Sequence, residues 1–290
     1  MTASGVPPFE AIAIVGMGLI GGSVAKAVRR LGLARQILGY DSNEENHKEI
    51  KSEQLADYLS DAPDKKLSQA DLVLLAVPVN SFKEVLPLIL PNISSKAILT
   101  DTGSVKSPIM KIMTSPEYKN IRFVGGHPIA GSENFGPAAA QQDLFSGKRF
   151  ILTPGENTDK DCIRVVRKFW ESLGAEVSQM DVEYHDKIFA SVSHLPHLLA
   201  YACIQAISNA DTQEALGHYG AGLKDFSRIA SSSPQMWADI FLENQEKLLP
   251  RVAEFNNVLS TLGETIKKND RGKLVELLAL SKTARDRWMS

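Results

Sequence analysis

The chain has 290 residues, 43% hydrophobic and 23% charged, an ordinary globular composition for one large or two medium domains. A net charge of −2 gives no reason to expect nucleic acid or an anionic membrane as partner, and no apolar run is long enough to span a bilayer. Cys162 and Cys203 fit no metal or redox spacing, and Met1 to Pro8 has neither a basic start nor a long apolar run, so reduced thiols and a cytoplasmic protein are expected.

In chain order, Ala11 to Val15 is a short apolar run with the length of a buried strand. Gly16-Met17-Gly18-Leu19-Ile20-Gly21 follows at once, Ser23 to Leu31 reads as a helix stopped by Gly32, and a second strand, Ile37 to Tyr40, ends at Asp41. Strand, glycine turn, helix, strand and acid make up the dinucleotide-binding arrangement. Gly16 permits the sharp turn, Gly18 lets the backbone approach a pyrophosphate, and Gly21 lets the helix pack on the strand. The helix start at Leu19 and Ile20 turns free N–H groups and a positive dipole end toward the phosphates. Asp41 would accept both ribose hydroxyls and repel a 2′-phosphate, and no Arg follows it directly, which favours NAD over NADP. The alternative for Asp41 alone is a solvated loop carboxylate.

Ser42 to Lys66 reads as helix plus loop. Strands are expected at Asp71–Pro78, Ala97–Asp101, Arg122–Gly125, Arg149–Pro154 and Ala175–Val177, with helices at Ser81–Ile89 and Asp159–Leu173. This alternation predicts a mostly parallel sheet covered on both faces. From Asp181 onward helical patterns replace it: His185–Ser208, Gln213–Ala230, Pro234–Leu262 and Arg271–Trp288, with Pro196 and Pro250 expected to kink or break them. The fold class is therefore an α/β Rossmann-type doubly wound sheet over residues 1–180, followed by an all-α substrate-binding domain over residues 181–290. The apolar faces of the helical half point to a homodimer formed through it.

In such sheets ligands bind at the carboxyl ends of the strands. Three loops there are unusual: Val77-Pro78-Val79-Asn80, Asp101-Thr102-Gly103-Ser104-Val105-Lys106, and Gly125 through His127 to Glu133. Val77 and Pro78 are assigned to the cofactor. His127 is the side chain best suited to accept a proton near neutral pH, as NAD-linked alcohol oxidation requires; the alternative is a histidine that satisfies a turn. Ser104 could orient His127, touch the nicotinamide, or serve only as a loop hydroxyl, and the simple reading of Asp101 and Lys106 is a pair with each other. His194 and His197 stand about one turn apart, where a metal site competes with a buried structural role and no third ligand is evident; no metal is expected. Lys224 and Arg228 share a helix face, either as a carboxylate clamp or as a solvated charged surface.

Asp101 to Lys106, Val124 to Glu133, Ser193 to His197 and Gly222 to Arg228 resemble four signature segments of the prephenate/arogenate dehydrogenase family, in family order and with the glycine fingerprint upstream. The resemblance spans Ile12 to Leu262 and implies NAD-dependent oxidative decarboxylation of a small cyclohexadiene in tyrosine biosynthesis. It implies that His127 accepts the hydrogen bond of the C4 hydroxyl, that Ser104 bridges cofactor and histidine, and that Arg228 binds a carboxylate. It implies that His197 contacts substrate with His194 beside it, that Lys224 belongs to the substrate set, and that Glu133 stands at the pocket mouth. Prephenate is the expected substrate, with arogenate or dual use as the alternative. Two remoter alternatives are a hydroxyacid dehydrogenase of similar two-domain plan, which would use a lysine such as Lys224, and an NAD-sensing protein without catalysis.

Overall fold

The computed structural model describes residues 8–132, 134–209 and 218–289. Among them eight strands form one sheet: β1 (Phe9–Val15), β2 (Ala34–Tyr40), β3 (Tyr58–Ser60), β4 (Leu72–Leu75), β5 (Ile98–Asp101), β6 (Arg122–Pro128), β7 (Arg149–Thr153) and β8 (Glu176–Gln179). Their spatial order is β3-β2-β1-β4-β5-β6-β7-β8. Neighbouring strands are parallel except β6 and β7, which run antiparallel with His127 opposite Ile151.

Successive side chains of a strand point to opposite faces, and here each face meets its own core. Ile12, Ile14, Leu72, Leu74 and Val124 pack on one side with helices α1 (Leu19–Leu31) and α5 (Lys160–Ser172). Ala13, Val15, Val73, Leu75 and Phe123 pack on the other, under Phe82 and Leu86 of α3 (Phe82–Ile89) and Ile109 of α4 (Ser107–Met113). Helix α1 ends where Gly32, at φ 61°, returns its N–H to the carbonyls of Val28 and Arg29.

One expectation needs correction in the sheet. The segment Ser42–Lys66 holds not only α2 (Glu44–Ser52) but also the short strand β3, which at three residues is too brief to show a periodicity. The sheet is mostly parallel as expected, with β7 and β8 both running opposite to the other strands, a direction that a list of apolar runs cannot reveal.

The helical half begins with α6 (Val182–Phe189), passes through one π-helical turn at Ala190–His194, and continues as α7 (Leu195–Asn209). Next come α8 (Ala221–Ser227), α9 (Pro234–Glu243), α10 (Gln245–Lys267) and α11 (Arg271–Met289). The helix expected from Gln213 lies outside the described residues until His218. Pro196 falls in the first turn of α7. Pro250 lies inside α10, which continues through it. The Pro234–Leu262 stretch breaks instead at Asn244. No helix among the described residues is long and apolar enough to cross a membrane.

Candidate active site

The glycine turn between β1 and α1 behaves as its spacing predicts. Gly16 has φ +91°, and a Cβ there would meet the Ala76 carbonyl oxygen at 2.5 Å; a Cβ on Gly21 would lie 1.9 Å from the Gly16 carbonyl oxygen. A Cβ on Gly18 would meet nothing within 4 Å, so the space in front of the α1 N-terminus is open. An anionic group seated there would receive unpaired N–H groups and the positive end of the helix dipole. Asp41, at the end of β2, is buried. Its Oδ2 accepts from the Met17 N–H at 2.9 Å, and its Oδ1 accepts from the Asn43 N–H at 3.0 Å and Asn46 Nδ2 at 3.1 Å.

The strand ends β4, β5 and β6 open onto a cavity of about 660 Å³ whose far wall is helical. Gly18, Leu19, Ile20, Val77, Pro78, Ser104 and His127 line it from the sheet side, and His197, Arg228, Trp237 and Asp239 from the helical side. His127 and Arg228 therefore open onto one space, which the glycine turn shares. Gly16, Gly21 and Asp41 shape the turn behind it and are not part of its lining.

A side-chain pair fixes the backbone that carries His127. The β5–β6 ladder pairs residues up to Thr100 and Val124. Beyond it, Asp101 Oδ1 accepts from the Gly126 N–H at 3.0 Å, and Lys106 Nζ donates to the Gly126 carbonyl at 2.7 Å. Lys106 is fully buried and ion-paired with Asp101. Burial pulls its ammonium below the ordinary lysine range, and Asp101 resists this. Gly126 itself is packed so closely that a Cβ would sit 2.3 Å from the Phe150 ring.

His127 is 8% exposed. Its Nδ1 lies 2.9 Å from His185 Nε2, and His185 Nδ1 lies 2.8 Å from Asp186 Oδ1. The residue oriented against His127 Nδ1 is thus His185 rather than Ser104. Burial holds the His127 imidazole well below its ordinary pKa, with His185, Lys106 and His194 acting in the same direction, so it is neutral at neutral pH. Burial also lowers His185, against the opposing pull of Asp186. For Asp186 burial acts upward, but hydrogen bonds from His185 and from Ser107 and Lys106 outweigh it and hold the carboxyl below its ordinary value. His185 and Asp186 belong to none of the motifs in the sequence; an adjacent His-Asp pair in the first helix after the sheet is the available signal.

On the far wall the π-helical turn brings Ser193 to the cavity. Its carbonyl lies 2.9 Å from His197 Nδ1, and the His197 ring stacks on Trp237 with centroids 3.6 Å apart. His194 does not reach the cavity. It is 1% exposed, accepts from Asn244 Nδ2 at 3.0 Å, and is pushed down to about 4 by burial. Among the described residues no metal-binding cluster accompanies the two histidines. Lys224 lies on α8 and is not part of the lining of this cavity. Glu133 lies outside the described residues.

Comparison with known proteins agrees with this arrangement. The family model described as "Prephenate dehydrogenase, nucleotide-binding domain" matches residues 24–179, and "Prephenate dehydrogenase, dimerization domain" matches residues 181–280. A cyclohexadienyl dehydrogenase of Zymomonas mobilis is 36% identical over 96% of this chain and 95% of its own. A prephenate dehydrogenase of Bacillus subtilis is 31% identical over 96% of this chain and 76% of its own. The crystal structure of prephenate dehydrogenase from A. aeolicus in complex with hydroxyphenyl propionate and NAD+ superposes with a TM-score of 0.88 at 38% identity, covering 96% of this chain and 98% of that one. With both family models filling consecutive stretches on either side of the sheet–helix junction, and a histidine and an arginine facing each other across it, the chain belongs to the prephenate dehydrogenase family.

Proposed function

We propose that the chain is an NAD-dependent prephenate dehydrogenase, which converts prephenate to 4-hydroxyphenylpyruvate by oxidative decarboxylation. The observation that carries this reading is the single cavity shared by His127, Arg228 and the glycine-turn helix start. NAD+ held there would supply the hydride acceptor. Gly18, Leu19 and Ile20 would hold its pyrophosphate, and the lone pairs that Asp41 does not use would take the ribose hydroxyls and reject a 2′-phosphate.

The chain's own residues bind, orient and accept a proton. Arg228 offers a planar fork for a carboxylate. His127, neutral and buried, accepts the hydrogen bond of the C4 hydroxyl and takes its proton as the ring carbon is oxidised. His197 presents its Nε2 edge to the substrate side chain, since its Nδ1 is held by Ser193. Loss of CO₂ makes the ring aromatic, so the protein's task is to position the groups and exclude water rather than to drive an uphill step. The relatives' dimerization domain and the exposed Val258, Leu259, Ile266, Val275, Leu278 and Leu280 on α10 and α11 support a homodimer through the helical half.

One observation favours a second substrate. Asp239 lines the same cavity, and a carboxylate there suits the ammonium of arogenate, which a keto acid lacks. Steady-state turnover of prephenate and arogenate with NAD+ and with NADP+, followed by reduced-cofactor absorbance, tests both readings. Turnover of prephenate with NAD+ is expected, and its absence in folded protein overturns the proposal.

A further inference from the structure

We infer that Asp186 and His185 form a relay that fixes the proton of His127 on Nδ1, leaves Nε2 bare for the substrate hydroxyl, and takes up the displaced proton during turnover. The inference rests on the role proposed above for His127, and its residues lie mostly beyond the cavity wall.

The assignment follows link by link. Asp186 Oδ1 accepts from the Lys106 N–H at 2.9 Å and Oδ2 from the Ser107 N–H at 2.8 Å. A carboxylate held by two backbone donors is ionised and can only accept. His185 Nδ1, 2.8 Å from Asp186 Oδ1, must therefore carry the hydrogen. Neutral His185 then has its lone pair on Nε2, which faces His127 Nδ1 at 2.9 Å. For that contact to be a hydrogen bond, His127 Nδ1 must be the donor. A neutral imidazole has one N–H, so His127 Nε2 is left with a lone pair.

The surroundings keep this arrangement from relaxing. Asn244 Nδ2 donates both to the Asp186 carbonyl at 2.9 Å and to His194 Nδ1, which ties α6 to the start of α10. The Phe189 ring lies against both imidazoles, with centroids 4.8 Å from His127 and 4.5 Å from His185. The charged and titratable groups that face the pair are Asp101 from the end of β5, Lys106 from the connection to α4, Asp186 from α6 and His194 from the π turn. Lys106, when charged, opposes a cation on His127, whereas Asp186 stabilises one on His185.

The proton step balances. The substrate O–H bond breaks and a bond forms to His127 Nε2. The His127 Nδ1–H bond breaks and a bond forms to His185 Nε2. His127 ends neutral, and His185 ends as an imidazolium beside the Asp186 carboxylate. No electrons move in this step; the hydride leaves separately for the cofactor. After product release the proton returns by the same bonds and exits to water.

The test uses the full chain labelled with ¹⁵N-histidine, with and without NAD+, at neutral pH. Imidazole ¹⁵N shifts distinguish protonated from bare nitrogens. Protonated Nδ1 and bare Nε2 are expected on both His127 and His185, and the opposite tautomer on either overturns the relay without any variant. Prephenate turnover is read separately, so an active enzyme with the wrong tautomer refutes the relay alone, and an inactive one with the right tautomer refutes only the proposed function. Asp186→Asn is expected to lower kcat about 100-fold with little change in KM, with partial recovery in Asp186→Glu. His185→Phe should also alter the acid limb of the kcat/KM profile, because that limb belongs to a coupled pair. Folded variants that keep kcat within about two-fold and an unchanged pH profile overturn the inference.

Discussion

Asn80 Nδ2 donates to Asp239 Oδ1 across 2.9 Å, joining the loop after β4 to helix α9 and so one wall of the cavity to the other. The bond holds one carboxylate oxygen of Asp239 and leaves the second for a ligand. Asp239→Asn is expected to lower kcat/KM for arogenate about tenfold, the scale of one hydrogen bond to a charged group, and to affect prephenate less. Parallel kinetics with both substrates check this; equal losses would remove Asp239 from side-chain recognition.

Gly126 has no room for a methyl group. Gly126→Ala should destabilise the fold by about 2 kcal/mol, as overpacking in a closed core does, because the new Cβ meets the Phe150 ring and the Asp101 carbonyl. Denaturant melts of Gly126→Ala, Phe150→Leu and the double variant should show less loss in the double than the sum of the singles. Additive losses would show that the methyl is accommodated elsewhere.

The fingerprint glycines should separate by assay. Gly21→Ala drives a methyl into the Gly16 carbonyl and should cost several kcal/mol of stability, about 3 by the scale of severe core clashes. Gly18→Ala meets nothing in the protein, so its melting should match the parent while NAD+ affinity falls. Isothermal titration with NAD+ beside thermal melts makes the distinction; a Gly18→Ala chain with unaltered NAD+ affinity would move the pyrophosphate away from this turn.

His194 gives a pH prediction. Its pKa falls from an ordinary 6.5 to about 4 in the fold, so the unfolded chain binds the extra proton between those values. Stability is then full above 6.5 and is lost as pH falls toward 4, by about 3 kcal/mol from this group. Burial lowers His127 and His185 in the same direction. Denaturant unfolding above pH 6.5 and near pH 4 should show the loss, and His194→Gln should flatten it. An unchanged slope in that variant would place the titration elsewhere.

Much of this architecture was readable in the residues. Strand β1, the glycine turn, α1 and Asp41 announce themselves because each obeys a local rule of geometry, and β4 to β8 show as apolar runs between turn signals. His127, Ser104, His197 and Arg228 are recognisable because they sit in compact motifs. Strand β3 and the reversal of β7 and β8 were not readable, since neither three residues nor strand direction leaves a periodic mark. The His185–Asp186 pair carries only a weak signal by itself because its meaning depends on His127, 58 positions earlier in sequence and brought beside it only where α6 meets the carboxyl end of β6. His194 shows the converse: it shares a motif with His197, which faces the cavity, while the π turn sends His194 inward to Asn244.

That turn has a further consequence. The segment from Val182 to Asn209 is one rod that bears the relay near its beginning and the far-wall imidazole beyond the bulge. Winding these same residues without the bulge, as an ordinary α-helix throughout, would swing everything after it by about 100°. His197 would turn off the cavity while His185 stayed in place, so the phase of this one helix sets which imidazole is floor and which is wall.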